Sequence, residues 1–168
     1  MAIMGDPVRE LSHDHADLNR RVREIGAMLA SGSNRARLAV VLKELREHLF
    51  FHFAREEEGL FPFVSDRIPE RAARVAAMAV AHDAICGSLA RMVHVATAGL
   101  AAITAAAPTT ADEVAASPGE LAVLRALFER FQAAYADHAR LEAELLQVLD
   151  DRLDTAQRAQ LAELVRDL

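Results

Sequence analysis

The sequence has few of the residues on which several common kinds of site depend. Its 168 residues include one cysteine, Cys86, one tyrosine and no tryptophan. A single cysteine excludes an internal disulfide and a zinc site built on paired thiolates, and it fits a reducing compartment. The amino terminus has no basic patch followed by an apolar run. We therefore expect no signal peptide and a cytoplasmic protein.

Positive charge is also scarce, with 19 Lys and Arg residues against 25 Asp and Glu residues, for a net charge of −6. Nucleic acids and anionic membranes bind basic faces, so we expect neither as a partner. The longest uncharged run lies between Arg91 and Asp112 and holds four threonines, a histidine and Pro108. Such a composition is unlike that of a membrane span.

Helix breakers stand in few places, and the segments between them are rich in helix formers. Hydrophobic residues make up 52% of the chain, and alanine, the best helix former, occupies 35 positions. No alternation typical of strands occurs. The spacing of apolar residues predicts helices over about 7–30, 35–64, 70–106 and 120–149, a loop over 107–119, and a tail helix over 155–165. We expect a single all-α domain over 1–168, an up-down-up-down four-helix bundle (about 7–149) with a short C-terminal fifth helix.

Each of the four long helices carries a histidine among apolar neighbours, and two of these histidines begin a His-x3-Glu spacing. The residues are His15, His52 with Glu56, His82, and His138 with Glu142. Residues four apart share one helix face, so each His and Glu pair can address one site. A single histidine is more often a core or surface residue. The set is different, because burying four imidazoles and two carboxylates is costly without a metal. The pattern predicts a carboxylate-bridged metal pair, and the spacing leaves iron, manganese and zinc open.

Four stretches of the sequence resemble the hemerythrin family, specifically hemerythrin-like proteins with the HHE cation-binding domain. They are LSHDHADL around His15, HFAREEEGLFP from His52, AHDAI around His82, and HARLEAELL from His138, within a resemblance that spans about residues 8–148. The resemblance implies a non-haem site with two iron ions. Four histidines would be terminal ligands and two glutamates would bridge the irons: His15, His52, His82, His138, Glu56 and Glu142.

One departure from the oxygen-carrying members affects the expected function. The resemblance to those members implies a site with five histidines, two of them in a His-x3-His spacing on the third helix. In this sequence Cys86 stands four residues after His82 instead. The resemblance then implies more than one open coordination position. We expect a protein that binds or reacts with oxygen, nitric oxide or peroxide, in an oxidative or nitrosative stress response or in oxygen sensing, with an unknown reductant. The alternative is a di-iron enzyme with peroxidase- or catalase-like, ferroxidase or nitric oxide reductase activity. A third reading is a metal-free or zinc-bound structural bundle.

Three further residues are candidates for the site, in three different roles: a fifth histidine ligand or a residue that orients a glutamate or water, a thiol with a redox or ligand role, and a hydrogen-bond donor to an iron-bound ligand. They are His48, one turn before His52, Cys86 on the third helix, and Tyr135, three residues before His138. Each also has an ordinary role open to it: a partly exposed histidine, a small buried hydrophobe, and a packed tyrosine with a satisfied hydroxyl. We expect surface positions for His13, Glu57 and Glu58, and we expect His94, which is off the His82 face, to pack or to face solvent. The phenylalanines at 50, 51, 53, 61 and 63 are expected in the core around the site.

Overall fold

The computed structural model describes residues 6–32, 34–106 and 116–166, and this part of the chain is helical without a strand. Its helices are α1 (Pro7–Ser31), α2 (Arg35–Arg55), α3 (Phe61–Arg67), α4 (Ala72–Ala106), α5 (Pro118–Arg152) and α6 (Thr155–Arg166). A π-helical turn, Glu56–Leu60, joins α2 to α3, and a 3-10 turn, Pro69–Arg71, precedes α4. The predicted all-α fold with a short C-terminal helix is confirmed. Most of the predicted loop, residues 107–115, lies outside the described residues.

Capping side chains, a proline and a glycine define the helix ends. The Asp6 carboxylate accepts a hydrogen bond from the Val8 amide at 3.1 Å, and Pro7 fills the first turn of α1. Gly32, with φ of 68°, ends that helix in the left-handed conformation that glycine adopts without strain. At the start of α5, Ser117 and Glu120 form a reciprocal capping box.

The four long helical segments form a bundle in which α1 and α4 each pack against both α2 and α5. Contacts near one end of the bundle show how the helices are ordered. Arg125, in the first turns of α5, donates from Nε to the Leu29 carbonyl near the end of α1 at 3.0 Å. The buried Arg35 at the start of α2 donates to the Ala96 carbonyl of α4 and to the Glu120 carboxylate of α5. These contacts agree with neighbouring helices that run in opposite directions.

The apolar core is divided into two clusters. One contains Leu18, Phe53, Ile85 and Tyr135 and extends toward the Arg35 end of the bundle. The other contains Leu11, Leu60, Met78 and Leu145, and it includes Leu161 and Val165 of α6. On each helical segment, the buried side chains between the two clusters are polar. The bundle therefore carries a buried polar layer between two apolar ends, and this layer is the candidate site.

Within the described residues, no helix combines the length and the apolar content that crossing a membrane requires.

Candidate metal centre

Six polar side chains meet in the buried layer, and they come from all four long helical segments of the bundle. His15 comes from α1, His52 from α2, Glu56 from the π turn, His82 from α4, and His138 and Glu142 from α5. Relative exposure is 8% for His15 and 3% or less for the other five. The structure thus brings together all six residues that the sequence singled out.

The four imidazoles form two pairs. In one pair the Nε2 atoms of His15 and His52 lie 3.0 Å apart. In the other pair the ring centroids of His82 and His138 lie 4.7 Å apart, nearly perpendicular to each other. Two bare imidazole nitrogens repel at 3.0 Å, so the first pair needs a shared proton or a cation between its members.

The two carboxylates lie between the histidine pairs, and each contacts both. Glu142 Oε2 contacts His15 Nε2 and lies 3.5 Å from His52 Nε2 and 3.4 Å from His138 Nε2. Glu56 Oε2 lies 3.1 Å from His82 Nε2 and 3.6 Å from His138 Nε2, and its Oε1 lies 3.8 Å from His52 Nε2. This is the placement that two bridging carboxylates require.

Ligand atoms from five of the six residues lie within 4.8 Å of one another, a spacing that allows them to hold a metal ion. These residues are His15, His52, Glu56, His138 and Glu142. His82 joins the group through its 3.1 Å contact with Glu56. The six residues together form the His–Glu cluster discussed below.

Many buried polar atoms of the cluster have no hydrogen-bond partner among the described residues. They are both carboxylate oxygens of Glu56 and of Glu142, both ring nitrogens of His138, Nδ1 of His52 and Nε2 of His82. Buried polar atoms are nearly always satisfied, and each unsatisfied one costs about 1–3 kcal/mol. The oxygen and imidazole donors suit a divalent metal such as iron, manganese or zinc. The residues present therefore fit a metal site.

Burial and mutual contact shift the pKa values of the cluster in different directions. Burial raises the pKa of Glu56 well above its usual value, and the charge of Glu142 raises it further. Burial also acts to raise the pKa of Glu142, but its close contacts with the imidazoles of His138, His15 and His52 outweigh burial and hold that pKa well below the usual value. Without a metal, Glu56 keeps its proton to higher pH than Glu142 does. Burial, with the charges of His138 and His52, lowers the pKa of His82 to about 3, so this ring is neutral at neutral pH.

The π turn is a feature that the sequence did not predict. A continuous helix was expected over about 35–64, whereas the helix widens at Glu56–Leu60. Pro62 has no amide hydrogen to continue the α-helical pattern, and Gly59 lies three residues before it, which is the signal the sequence offered. Extra residues of this kind occur often at functional sites.

Because of the π turn, Glu57 belongs to the site, contrary to the expectation that it faces away as surface charge. Its Oε1 lies 2.5 Å from Nδ1 of His82, on the side of the ring opposite Glu56. Its side chain is 47% exposed, so it lies between the cluster and solvent. Glu58 is exposed, as expected.

The three candidate partners of the ligands lie in different surroundings. Tyr135 is buried beside the cluster, and its hydroxyl has no hydrogen-bond partner among the described residues. Burial, together with the charges of Glu142 and Glu56, raises its pKa. His48 is exposed and donates from Nδ1 to the Glu44 carbonyl at 2.7 Å. Cys86 is half-buried and packs against the apolar cluster toward Arg35, where burial raises the pKa of its thiol.

Aromatic rings pack against the His82 and His138 pair. Phe53 stacks on His82 with ring centroids 3.7 Å apart, and Phe61 lies on the same imidazole at 5.5 Å. Phe63 is buried as well. The expectation that residues 50 and 51 also lie in the core was wrong: Phe50 is 67% and Phe51 is 61% exposed. Leu49, His52 and Phe53 of α2 turn inward, and Phe50 and Phe51 fall on its outer face.

Two surface cavities reach the His15 and His52 pair. A cavity of about 380 Å³ lies between α1 and α5, with His15 and the small side chains of Ala16, Ala139 and Ala143 in its wall. A second, of about 300 Å³, lies between α1 and α2 and has His52 in its wall. This side of the cluster is closer to solvent than the side covered by Phe53 and Phe61.

Fold and site together define a helical-bundle metal-binding protein with a buried His–Glu centre. The model of one family, the hemerythrin HHE cation binding domain, matches residues 6–149. The chain belongs to this family. The match covers the whole bundle and all six cluster residues, and the family supports iron as the metal. No curated protein and no solved structure matches the chain significantly.

Proposed function

We propose that the His–Glu cluster holds two non-haem iron ions and that the protein binds or reacts with a small ligand: oxygen, nitric oxide or peroxide. The observation that carries this proposal is the position of the two carboxylates. Glu56 and Glu142 each contact both histidine pairs, so that each carboxylate can bridge two metal positions. A site for one ion would not need two separate imidazole pairs with bridges between them.

Each residue of the cluster has a role in this proposal. His15 and His52 hold one iron, His82 and His138 hold the other, and Glu56 and Glu142 keep the two together. Four imidazole nitrogens and four carboxylate oxygens would supply eight donor atoms to the two ions. This number would leave room at the irons for a small ligand, as in other iron sites with two histidines and a carboxylate.

Bound iron supplies redox change and a place for a small ligand to attach. The chain controls how that ligand reaches the site. Phe53 and Phe61 cover the His82 side and exclude water there. The cavity beside His15 leaves the other side within reach of small molecules. The buried Tyr135 hydroxyl has no partner among the described residues and is available to donate a hydrogen bond toward the cluster.

The biological role in this proposal is a stress response to oxidants or nitric oxide, or oxygen sensing, in the cytoplasm. An unidentified reductant would return the irons to the ferrous state. The specific support for reactivity over simple oxygen carriage is Cys86, which is half-buried. It stands four residues after His82, where the resemblance to the five-histidine members would place the second histidine of His-x3-His. Catalysis, as a peroxidase or catalase, ferroxidase or nitric oxide reductase, is the second candidate function, supported by the same open positions.

Exposure of the anaerobic, Fe(II)-loaded protein to each ligand tests the proposal. Its visible spectrum is recorded in oxygen and again after flushing with argon, and consumption of peroxide and nitric oxide is followed over many equivalents. A reversible or stoichiometric spectral change supports a binding protein or sensor, and steady turnover supports the enzyme. An Fe(II)-loaded protein whose spectrum responds to none of the three ligands contradicts the proposal.

A further inference from the structure

Two consecutive glutamates bracket one imidazole ring. Glu56 Oε2 lies 3.1 Å from Nε2 of His82, and Glu57 Oε1 lies 2.5 Å from Nδ1 of the same ring. Consecutive residues of a regular α-helix point about 100° apart, which does not direct both toward one side chain. The π turn that begins at Glu56 widens the backbone at this point, and both carboxylates face α4.

The contact with Glu57 sets the tautomer of His82. Nδ1 of His82 lies within hydrogen-bond distance of Glu57 Oε1, so one hydrogen lies between these two atoms. A carboxylate accepts hydrogen bonds and does not donate them when ionised, so the hydrogen lies on Nδ1 and is donated to Glu57. Nε2 is then left with its lone pair directed at the interior of the cluster, beside Glu56.

Two of the other three rings of the cluster, those of His52 and His138, lack such a partner among the described residues. The buried Nδ1 atoms of His52 and His138 make no hydrogen bond to described residues. A carboxylate behind an imidazole fixes the orientation of the ring and makes its other nitrogen a stronger donor to a metal. The His82 side of the cluster is therefore built differently from the His15 and His52 side.

We propose that Glu57 is a positioning residue for the metal centre: its carboxylate holds the His82 ring with Nε2 directed at the metal and strengthens that nitrogen as a ligand. The effect on the metal rests on the proposed function, whereas the effect on the tautomer does not. Glu57 also places a negative charge behind one metal position only. The two positions then differ in affinity and in reduction potential, with the His82 position favouring the more oxidised ion.

Two variants and a matched control test the proposal. Glu57→Ala removes the acceptor, and Glu57→Gln keeps an acceptor oxygen but removes the charge. Glu58→Gln removes the same charge from the next residue, which is exposed and lies outside the cluster. Circular dichroism and thermal unfolding establish that each variant is folded. If Glu57→Ala does not fold, the milder Glu57→Gln variant is measured in its place.

The first measurement uses the metal-free protein. Long-range ¹H–¹⁵N spectra of histidine-labelled protein report which ring nitrogen of His82 carries the hydrogen, with a His82→Gln variant for assignment. We expect Nδ1–H in the wild type, in Glu57→Gln and in Glu58→Gln, and loss of that preference in Glu57→Ala. A wild type with the hydrogen on Nε2, or a Glu57→Ala variant with an unchanged tautomer, overturns the proposal.

The second measurement is competition for Fe(II) against a chelator without oxygen, with the reduction potential of the loaded protein. Loss of an outer partner of a metal-bound histidine typically costs 10–100-fold in affinity. We expect a loss in that range for Glu57→Ala, a smaller loss and a raised potential for Glu57→Gln, and no change for Glu58→Gln. If both Glu57 variants keep the wild-type affinity and reduction potential, the result contradicts the role of Glu57 but leaves the metal centre itself intact. Failure of the wild type to bind iron contradicts the proposed function instead, and the tautomer still decides whether Glu57 positions the ring.

Discussion

Glu56 and Glu142 face each other across the cluster, yet their surroundings push their protonation in opposite directions. The imidazoles of His138, His15 and His52 lie beside Glu142 and hold its pKa well below the usual value. Glu56 is buried beside that charge, so its pKa is raised well above the usual value. In the metal-free protein this difference favours a proton on Glu56 over one on Glu142. A divalent metal supplies the compensating charge and takes the place of that proton.

This difference predicts that metal affinity rises with pH. Between the ordinary pKa of a glutamate and the raised pKa of Glu56, the metal must displace a proton, and loss of one proton gives up to about a tenfold gain in affinity per pH unit. His82, with a pKa lowered to about 3, is already neutral there and adds no proton. Chelator competition under nitrogen at several pH values between 5 and 7 measures the slope.

Glu56→Gln serves as the control for the pH dependence, since an amide carries no displaceable proton. This variant should bind the metal weakly and with a shallower dependence on pH. An affinity of the wild type that is constant over this range would show that Glu56 is already ionised in the metal-free protein.

At the scale of the elements, the π turn and α6 hold each other in place through packing contacts. α6 packs directly on the turn, with the Leu164 carbonyl and the Val165 side chain against Gly59. Arg55, just before the turn, donates from Nε to the Val165 carbonyl at 3.1 Å and contacts the Asp14 carboxylate of α1. The turn that places Glu56 and Glu57 is therefore held on its outer side by the last described helix.

Gly59→Ala should loosen this packing. A Cβ at this position would lie 2.9 Å from the backbone oxygen of Leu164, so α6 or the turn must move. We expect a loss of about 1–3 kcal/mol in the free energy of unfolding, as for other overpacked sites. The change should lower iron affinity as well, because the turn carries Glu56. Denaturant unfolding of the metal-free protein and chelator competition measure the two effects.

Gly87→Ala on α4 is the matched control, because no atom lies within 4 Å of a Cβ built there. The same substitution at this open helical site should stabilise the protein by about 0.5–1 kcal/mol through helix propensity alone. A Gly59→Ala variant as stable as Gly87→Ala would show that α6 does not constrain the turn.

The sequence was sufficient for the helices and for the six cluster residues, but not for the π turn. Spacing of three and four residues placed His15, His52 and His138 inward because those positions lie on regular helices. The same rule put Glu57 on the surface, since it assumes 100° per residue through a segment where the helix widens. The sequence also indicated core positions for Phe50 and Phe51, whereas both are exposed because of how α2 is rotated against its neighbours. Tertiary packing decides the position of Glu57 and of the two phenylalanines, and it cannot be derived from the local spacing of residues.

At the scale of the whole molecule, the polar layer divides the core in two. The apolar clusters at the two ends stabilise the bundle, whereas the layer between them contains buried atoms without hydrogen-bond partners among the described residues. Such a layer destabilises the metal-free fold, and a ligand that binds only the folded state restores the loss. A metal bound in this layer would therefore stabilise the bundle.

Removal of the metal should accordingly lower the melting temperature. Metal at 100 times its dissociation constant adds about 2.7 kcal/mol, which corresponds to about 5–10 °C for a protein of this size. Calorimetry of the metal-free and the Fe(II)-loaded protein under nitrogen measures the shift, and His52→Ala should lack it. Equal melting temperatures for the two wild-type forms would contradict a metal bound within the core.

The most direct test of the account is the number of irons that the chain binds. Metal-free wild type, His52→Ala and Glu142→Ala are each titrated with Fe(II) without oxygen, freed of unbound metal and analysed for iron per chain. Two irons in the wild type and none retained in either variant are the predicted result. Retention of two irons in both variants, or one iron or none in the wild type, would contradict a paired centre held by the His–Glu cluster.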